Sequence, residues 1–184
     1  MPILPAEADI YPDNLLSEES TRNVGGWWVL HTMSRREKDL MRRLRQLGIP
    51  HYSPMIKRRY RSPGGRSRVS YVPLFAGYVF LAGTDEHRVE ALKTNCVAKC
   101  LEVTEADRLV LDLQQIQRLV LADAPLAPEA RIVPGALVRV RSGPLKGLEG
   151  VVDARRGQQR LIVSVQFLQQ GASVVIDDYQ LEEI

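Results

Sequence analysis

Apolar and polar positions change their period twice along this chain. Residues 1–24 are rich in Pro, Glu, Ser and Asp without sustained apolar periodicity, and read as a flexible extension to which no role is assigned. At Gly25 and Gly26 the texture changes: Trp27, Trp28, Val29 and Leu30 form a short apolar run of the kind found in a buried strand. Ser34 with Glu37 has the form of a capping box, and Leu40, Leu44 and Leu47 give one apolar stripe, so a helix is predicted, ending at Gly48 in a left-handed cap. His51, Tyr52 and Ser53 between Pro50 and Pro54 predict a short edge strand. Residues 57–68 then form a basic arm whose tip, Ser62-Pro63-Gly64-Gly65, supplies the turn of a protruding hairpin.

Gly77 to Leu81 reads as a central strand. Thr84 and Asp85 cap a second helix with Val89 and Leu92 inward, and Val97 to Val103 is a further strand. Thr104 and Asp107 resemble another capping box, opening a third helix whose apolar set is Leu109, Val110, Leu113, Ile116, Leu119 and Val120, with Pro125 beyond its end. The order predicts an α+β domain over residues 25–121, with helices flanking an antiparallel sheet. Residues 122–131, with Ala, Pro and Asp and no aromatic, read as a linker. Beyond it the period falls to two. Leu137–Arg141, Val151–Ala154, Leu161–Phe167 and Val174–Ile176 are short β-rich runs separated by Gly-containing turns, predicting a small all-β barrel over residues 132–184.

Composition narrows the class. Hydrophobic residues at 45% supply a packed core, which argues against wholesale disorder. No apolar run approaches the roughly 20 residues needed to cross a bilayer, and the acidic N-terminus is unlike a secretory signal, so a cytoplasmic protein is expected. Cys96 and Cys100 are the only cysteines, and His31, His51 and His87 are scattered singly. Neither a disulfide framework nor a metal site is expected. Between Arg35 and Arg68 lie twelve Lys and Arg against two acidic residues, while the rest of the chain carries a net −7. Within this segment Arg35, Arg36, Arg42, Arg43, Lys57, Arg58, Arg59, Arg61, Arg66 and Arg68 are candidate nucleic-acid contacts, since clustered cations release counterions on meeting phosphates. The plainer alternative is a solvated helix face and a basic loop.

Gly143-Pro144-Leu145-Lys146-Gly147-Leu148-Glu149-Gly150-Val151, after the run Val138-Arg139-Val140, resembles the KOW motif, in which glycines allow a tight loop between the first two strands of an SH3-like barrel. With Trp27-Trp28-Val29-Leu30 and Phe75-Ala76-Gly77-Tyr78-Val79-Phe80 ahead of it, the span from Trp27 to the C-terminus resembles NusG transcription factors: an N-terminal NGN domain, a linker and a KOW domain. The resemblance implies a transcription elongation or antitermination factor with no cofactor and no catalysis of its own. It implies that NGN aromatic residues dock on the clamp region of RNA polymerase, here His31, Phe75, Tyr78 and Phe80. The competing reading of Phe75, Tyr78 and Phe80 is core packing. It further implies that Leu145, Lys146 and Leu148 on the KOW loop meet a second partner, Rho or a small-subunit ribosomal protein. Ala76, where general NusG proteins have proline, resembles the specialised RfaH-like paralogues. Nucleic-acid contact, with non-template DNA or RNA, is expected; membrane association is not, and the chain is expected to be a monomer.

A ribosome-associated KOW protein that binds RNA is the alternative, favoured by the basic arm. An enzyme is disfavoured: the sequence has no phosphate-binding loop, His-Glu-x-x-His, nucleophile elbow or credible Ser, His, Asp set.

Overall fold

A computed structural model describes residues 6–131, 135–176 and 181–184. The chain divides into two compact units, Met1–Thr104 and Glu105–Ile184. The expected α+β architecture followed by a β-rich unit is present.

The first unit begins with β1 (Ile10–Tyr11) and α1 (Glu18–Asn23), where a flexible extension was expected. β1 pairs antiparallel with β3 (His51–Tyr52), and Leu15 and Leu16 are buried. Too few apolar residues lie here to set a period, so the docking of Ile10, Leu15 and Leu16 leaves no periodic trace in the sequence. The sheet continues through β2 (Gly26–Thr32), β6 (Tyr78–Gly83) and β7 (Val97–Glu102), in the order β1-β3-β6-β2-β7. β6 therefore lies at the centre, as the run at Gly77–Leu81 predicted. A separate two-stranded ribbon, β4 (Met55–Arg61) with β5 (Ser67–Pro73), is the expected hairpin.

Helices α2 (Glu37–Gln46) and α3 (Asp85–Lys93) cover one face of the sheet. Leu30, Leu40, Met41, Leu44, Ile49, Val79, Leu81 and Ala91 form the core there. Leu47 is exposed, whereas Met41, outside the expected stripe, is buried with Leu40 and Leu44. Val89 and Leu92 are each more than a third exposed; the tight contact of α3 is made by Ala91, a residue small enough to bring the helix close. Thr84 caps α3 as expected, accepting from the amide of His87, whose Nδ1 accepts in turn from the amide of Thr84. Gly48 adopts φ +69°, the left-handed conformation that its place after α2 predicted.

The second unit opens with α4 (Ala106–Leu121), the helix expected to close the first domain. Neither of the two capping boxes read around it and α2 forms: the N-cap positions are Glu105 and Arg36, without side-chain caps. The expected linker contains β8 (Leu126–Glu129), paired along β12 (Gln170–Val175). Leu126 and Ala127 half-bury on that neighbour, a tertiary gain invisible in composition. The sheet runs β13-β9-β10-β11-β12-β8, with β9 (Leu137–Val140), β10 (Glu149–Arg155), β11 (Gln158–Val165) and β13 (Leu181–Glu183). Among the described residues β13 and β8 do not pair with each other, so the expected barrel is an unclosed antiparallel sheet. Gly150 and Gly171 let strands approach: a Cβ on them would lie 2.3 Å from Ile162 O and 2.5 Å from Val163 O.

Candidate functional site

The most exposed ring pair on the first sheet stands where β2 ends and β6 begins. His31 and Tyr78 are direct cross-strand partners, their ring centroids 5.0 Å apart and tilted by 40°. His31 is exposed and Tyr78 half-buried. The turn that presents them needs Gly77, at φ +84°, a value that costs an L-residue roughly 1–2 kcal/mol. A Cβ there would also press on the His31 ring at 3.4 Å. Gly77 is fixed on both sides: its amide donates to Glu37 Oε1 at 2.7 Å, and its carbonyl accepts from Thr32 N at 2.8 Å. Buried Glu37 is thus committed to holding this corner, which explains why it does not reach back to cap α2. Met33, two residues on from His31, is 47% exposed.

Phe75 and Phe80 are not on that surface. They are 1% and 0% exposed and pack edge to face, with centroids 6.2 Å apart. Alternation puts Phe80 and Tyr78 on one side of β6, but Tyr78 sits at the strand end where cover runs out, while Phe80 lies two residues further in. The patch read from the sequence therefore reduces to His31 and Tyr78.

The candidate cations fall into two sets. On α2, Arg36 and Arg43 pair with Asp39 at 2.9 and 3.3 Å, and Arg42 pairs with Glu7. Arg43 is the foremost reason that the Asp39 carboxyl sits below its usual range. Arg35 lies in the turn before the helix at φ +60°. On the ribbon, Lys57, Arg58, Arg59, Arg61, Arg66 and Arg68 are all exposed, and no described carboxylate forms an ion pair with any of them. Tyr60, 47% exposed, stands opposite Arg68 on the ribbon. The side chains of the first strand thus offer charge and one ring to solvent.

In the second unit the glycine-rich loop follows β9. Gly143 and Gly147 adopt φ +83° and +82°, as the motif requires, and Gly147 N donates to Val140 O at 2.8 Å. Lys146 is exposed and Leu145 half-buried, but Leu148 is 0% exposed: it plugs the sheet instead of presenting a contact. α4 holds this loop through backbone atoms. Arg118 donates to Lys146 O and Gln115 Oε1 accepts from Glu149 N at 2.7 Å, while Asp112 Oδ2 accepts from Gln166 N, in the turn after β11, at 2.9 Å. Asp112 also pairs with Arg108 at 3.1 Å, and its burial raises its carboxyl pKa. None of these anchors was read from the sequence, although an aspartate amid the apolar set Leu109, Val110, Leu113 and Ile116 was the available signal. Alongside α4 runs an open groove of about 530 Å³, whose lining includes Leu111 and Leu137.

Among the described residues no group of His, Cys, Asp and Glu could hold a metal ion, and no helix is long and apolar enough to cross a membrane. Cys96 and Cys100 are both free thiols.

The first unit thus presents an exposed ring pair and a cationic ribbon, and the second a glycine-rich loop braced by a helix. A family model described as transcription termination factor nusG matches residues 25–120. The match spans over half of the chain, which therefore belongs to the NusG family and is a transcription factor of that kind. It starts at the glycine before β2 and ends inside α4, so the segment carrying β1 and α1 lies outside it. A comparison with curated proteins gives no match.

Proposed function

We propose that this chain is a transcription elongation or antitermination factor that attaches to RNA polymerase through its first unit and recruits a second factor, Rho or a small-subunit ribosomal protein, through its second. It acts in the cytoplasm as a monomer and performs no covalent chemistry. The family match over residues 25–120 carries this reading. The polymerase contact centres on His31 and Tyr78, aromatic groups that give contact area at small entropic cost and are held in place by Glu37 and Gly77. The second contact uses Leu145 and Lys146 on the loop.

Capture of core RNA polymerase by the tagged full-length chain tests the first contact. Replacing His31 and Tyr78 together by Ala should weaken capture by about ten-fold or more, the size expected on losing interface anchors. Wild-type affinity in a folded double variant would overturn the assignment. Phe80→Ala is not a substitute, because it removes a core ring and should cost about 3–5 kcal/mol of stability.

The unpaired ribbon cations support contact with non-template DNA or RNA, and they equally favour a ribosome-associated RNA-binding protein. Titration with naked RNA in rising salt separates the two. A polymerase factor binds it weakly, whereas a ribosomal module binds tightly with a steep salt slope. Ala76 supports a specialised paralogue, for which chromosome-wide occupancy should concentrate at a few loci; uniform occupancy would mark a general factor.

A further inference from the structure

Glu7 and α2 meet in a charge arrangement that the polymerase reading leaves unused. Arg42 sends Nε and Nη2 to the two carboxylate oxygens of Glu7, at 2.7 and 2.6 Å. That bond is the foremost cause lowering the Glu7 carboxyl pKa, and Lys38 and Arg45 lie near enough to lower it further. Lys38, Arg42 and Arg45 follow at i, i+4 and i+7 on α2, which places them along one face. Arg45 is held by the same segment: its Nη2 donates to Ala8 O at 3.2 Å and Ile10 O at 2.8 Å, and its guanidinium lies 5.7 Å from the Tyr11 ring centre. A forked guanidinium gripping two oxygens of an anion, backed by two more cations, is how arginine takes a phosphate. Here the chain fills that place with its own carboxylate.

We propose that the face of α2 bearing Lys38, Arg42 and Arg45 is a second surface for the phosphates of a nucleic-acid backbone, and that Glu7 occupies it as a built-in competitor. The surface is distinct from the ribbon and rests on the reading that nucleic acid is a ligand. Glu7 is suited to yield. Its side chain is 37% exposed and that of Arg42 is 57% exposed, so water and salt screen the pair and its own contribution to stability is small. The firm anchors of the segment lie downstream at Ile10, Leu15 and Leu16, all buried. Residues 6–8 can therefore lift away while β1 stays paired. A nucleic-acid backbone presents several phosphates to the three cations together, where Glu7 presents one charge. Arg36 and Arg43 pair with Asp39 on the helix itself and lie off the face of Lys38, Arg42 and Arg45.

The test is binding of the full-length chain to a labelled single-stranded oligonucleotide of mixed sequence over a salt series. Glu7→Gln is compared with Glu7→Gln/Arg42→Gln and with Glu18→Gln, which removes one exposed negative charge elsewhere. Each is made in the native chain and in one where Lys57, Arg58, Arg59 and Arg61 are Gln. Glu7→Gln should tighten binding several-fold at low salt and steepen the slope of log K against log salt by roughly 0.7 for every further phosphate neutralised. The tightening should appear in both backgrounds and vanish with Arg42→Gln, and Glu18→Gln should not reproduce it. Unchanged affinity and slope, a tightening that survives loss of Arg42, an equal effect from Glu18→Gln, or no binding by any variant would each overturn the proposal. If neutralising the ribbon has no effect while Glu7→Gln still tightens binding, the ribbon reading fails and this one stands.

Discussion

His51 shows how far one side chain can depart from its ordinary chemistry. Its Nδ1 lies 2.8 Å from Ile49 O, and a carbonyl can only accept, so Nδ1 carries the proton and Nε2 is left as the acceptor. Nε2 is buried with no partner among the described residues, and the residue is 0% exposed. A second proton would place an unpaired donor and a charge in that interior. Burial accordingly pushes the pKa down to about 4, with Arg45 adding to the effect. Because the folded pKa lies below the unfolded value near 6.5, protons bind the unfolded chain first. Stability is fully present above that value and is lost as pH falls from it towards 4, by up to about 3 kcal/mol. Urea midpoints at pH 7.5 and 4.5 should show that loss, and His51→Asn should flatten the pH dependence across the same interval. Tyr78 and Phe80 make the complementary point about what one strand discloses. Alternation assigns both to one side of β6, but depth along the strand, which the sequence does not encode locally, separates a half-exposed ring from a sealed one.

Between neighbouring strands, glycine acts by what it lacks. Gly150 in β10 faces Ile162 O so closely that a methyl group would sit 2.3 Å from a backbone atom that cannot rotate away. Gly150→Ala should therefore push β10 from β11 and cost about 1–3 kcal/mol, read as a lowered thermal midpoint of the full chain. A stability unchanged within error would show that the ladder shifts freely. Strands and helices themselves were largely legible, because Val138 and Val140, Leu161 and Val163, and the Leu40–Leu44 pair carry the period of their elements. Helix starts were less so. Ser34 and Glu37 have the right spacing for a cap, but Glu37 gains a buried bond to the Gly77 amide, and that distant partner wins. The same holds for α4, where Asp112, Gln115 and Arg118 disclose nothing along the sequence until distant segments of their own unit supply backbone atoms to meet them.

At the scale of the whole molecule, the segment ahead of the family match is structural as well as acidic. Deleting residues 1–24 removes β1 and uncovers the surfaces that Leu15 and Leu16 pack against; at about 1.5–3 kcal/mol for each buried leucine, the loss should reach about 3 kcal/mol or more. Denaturant unfolding of the truncated chain checks this, and a stability equal to that of the intact chain would mean that the segment only rests on the surface. Sequence texture could not reveal this docking or the pairing of β8. Both are short runs whose worth depends on a neighbour far along the chain, Tyr52 for Ile10 and Ala172 for Pro128. The family motifs were readable because they are local: a glycine at positive φ or a ring before a strand leaves its mark where it stands.

The ribbon of β4 and β5 forms its own two-stranded sheet, and from Lys57 to Arg61 its first strand is wholly exposed. Beyond its base, where Met55 is buried, the ribbon has little packed beneath it, and such a distal pair of strands comes apart far more readily than the sheet that carries it. Such a finger is also dense with the residues after which trypsin cuts. Brief digestion should nick it there before the rest of the chain is touched, leaving two fragments that travel together until denaturant parts them, and a bound polyanion should slow the first cut.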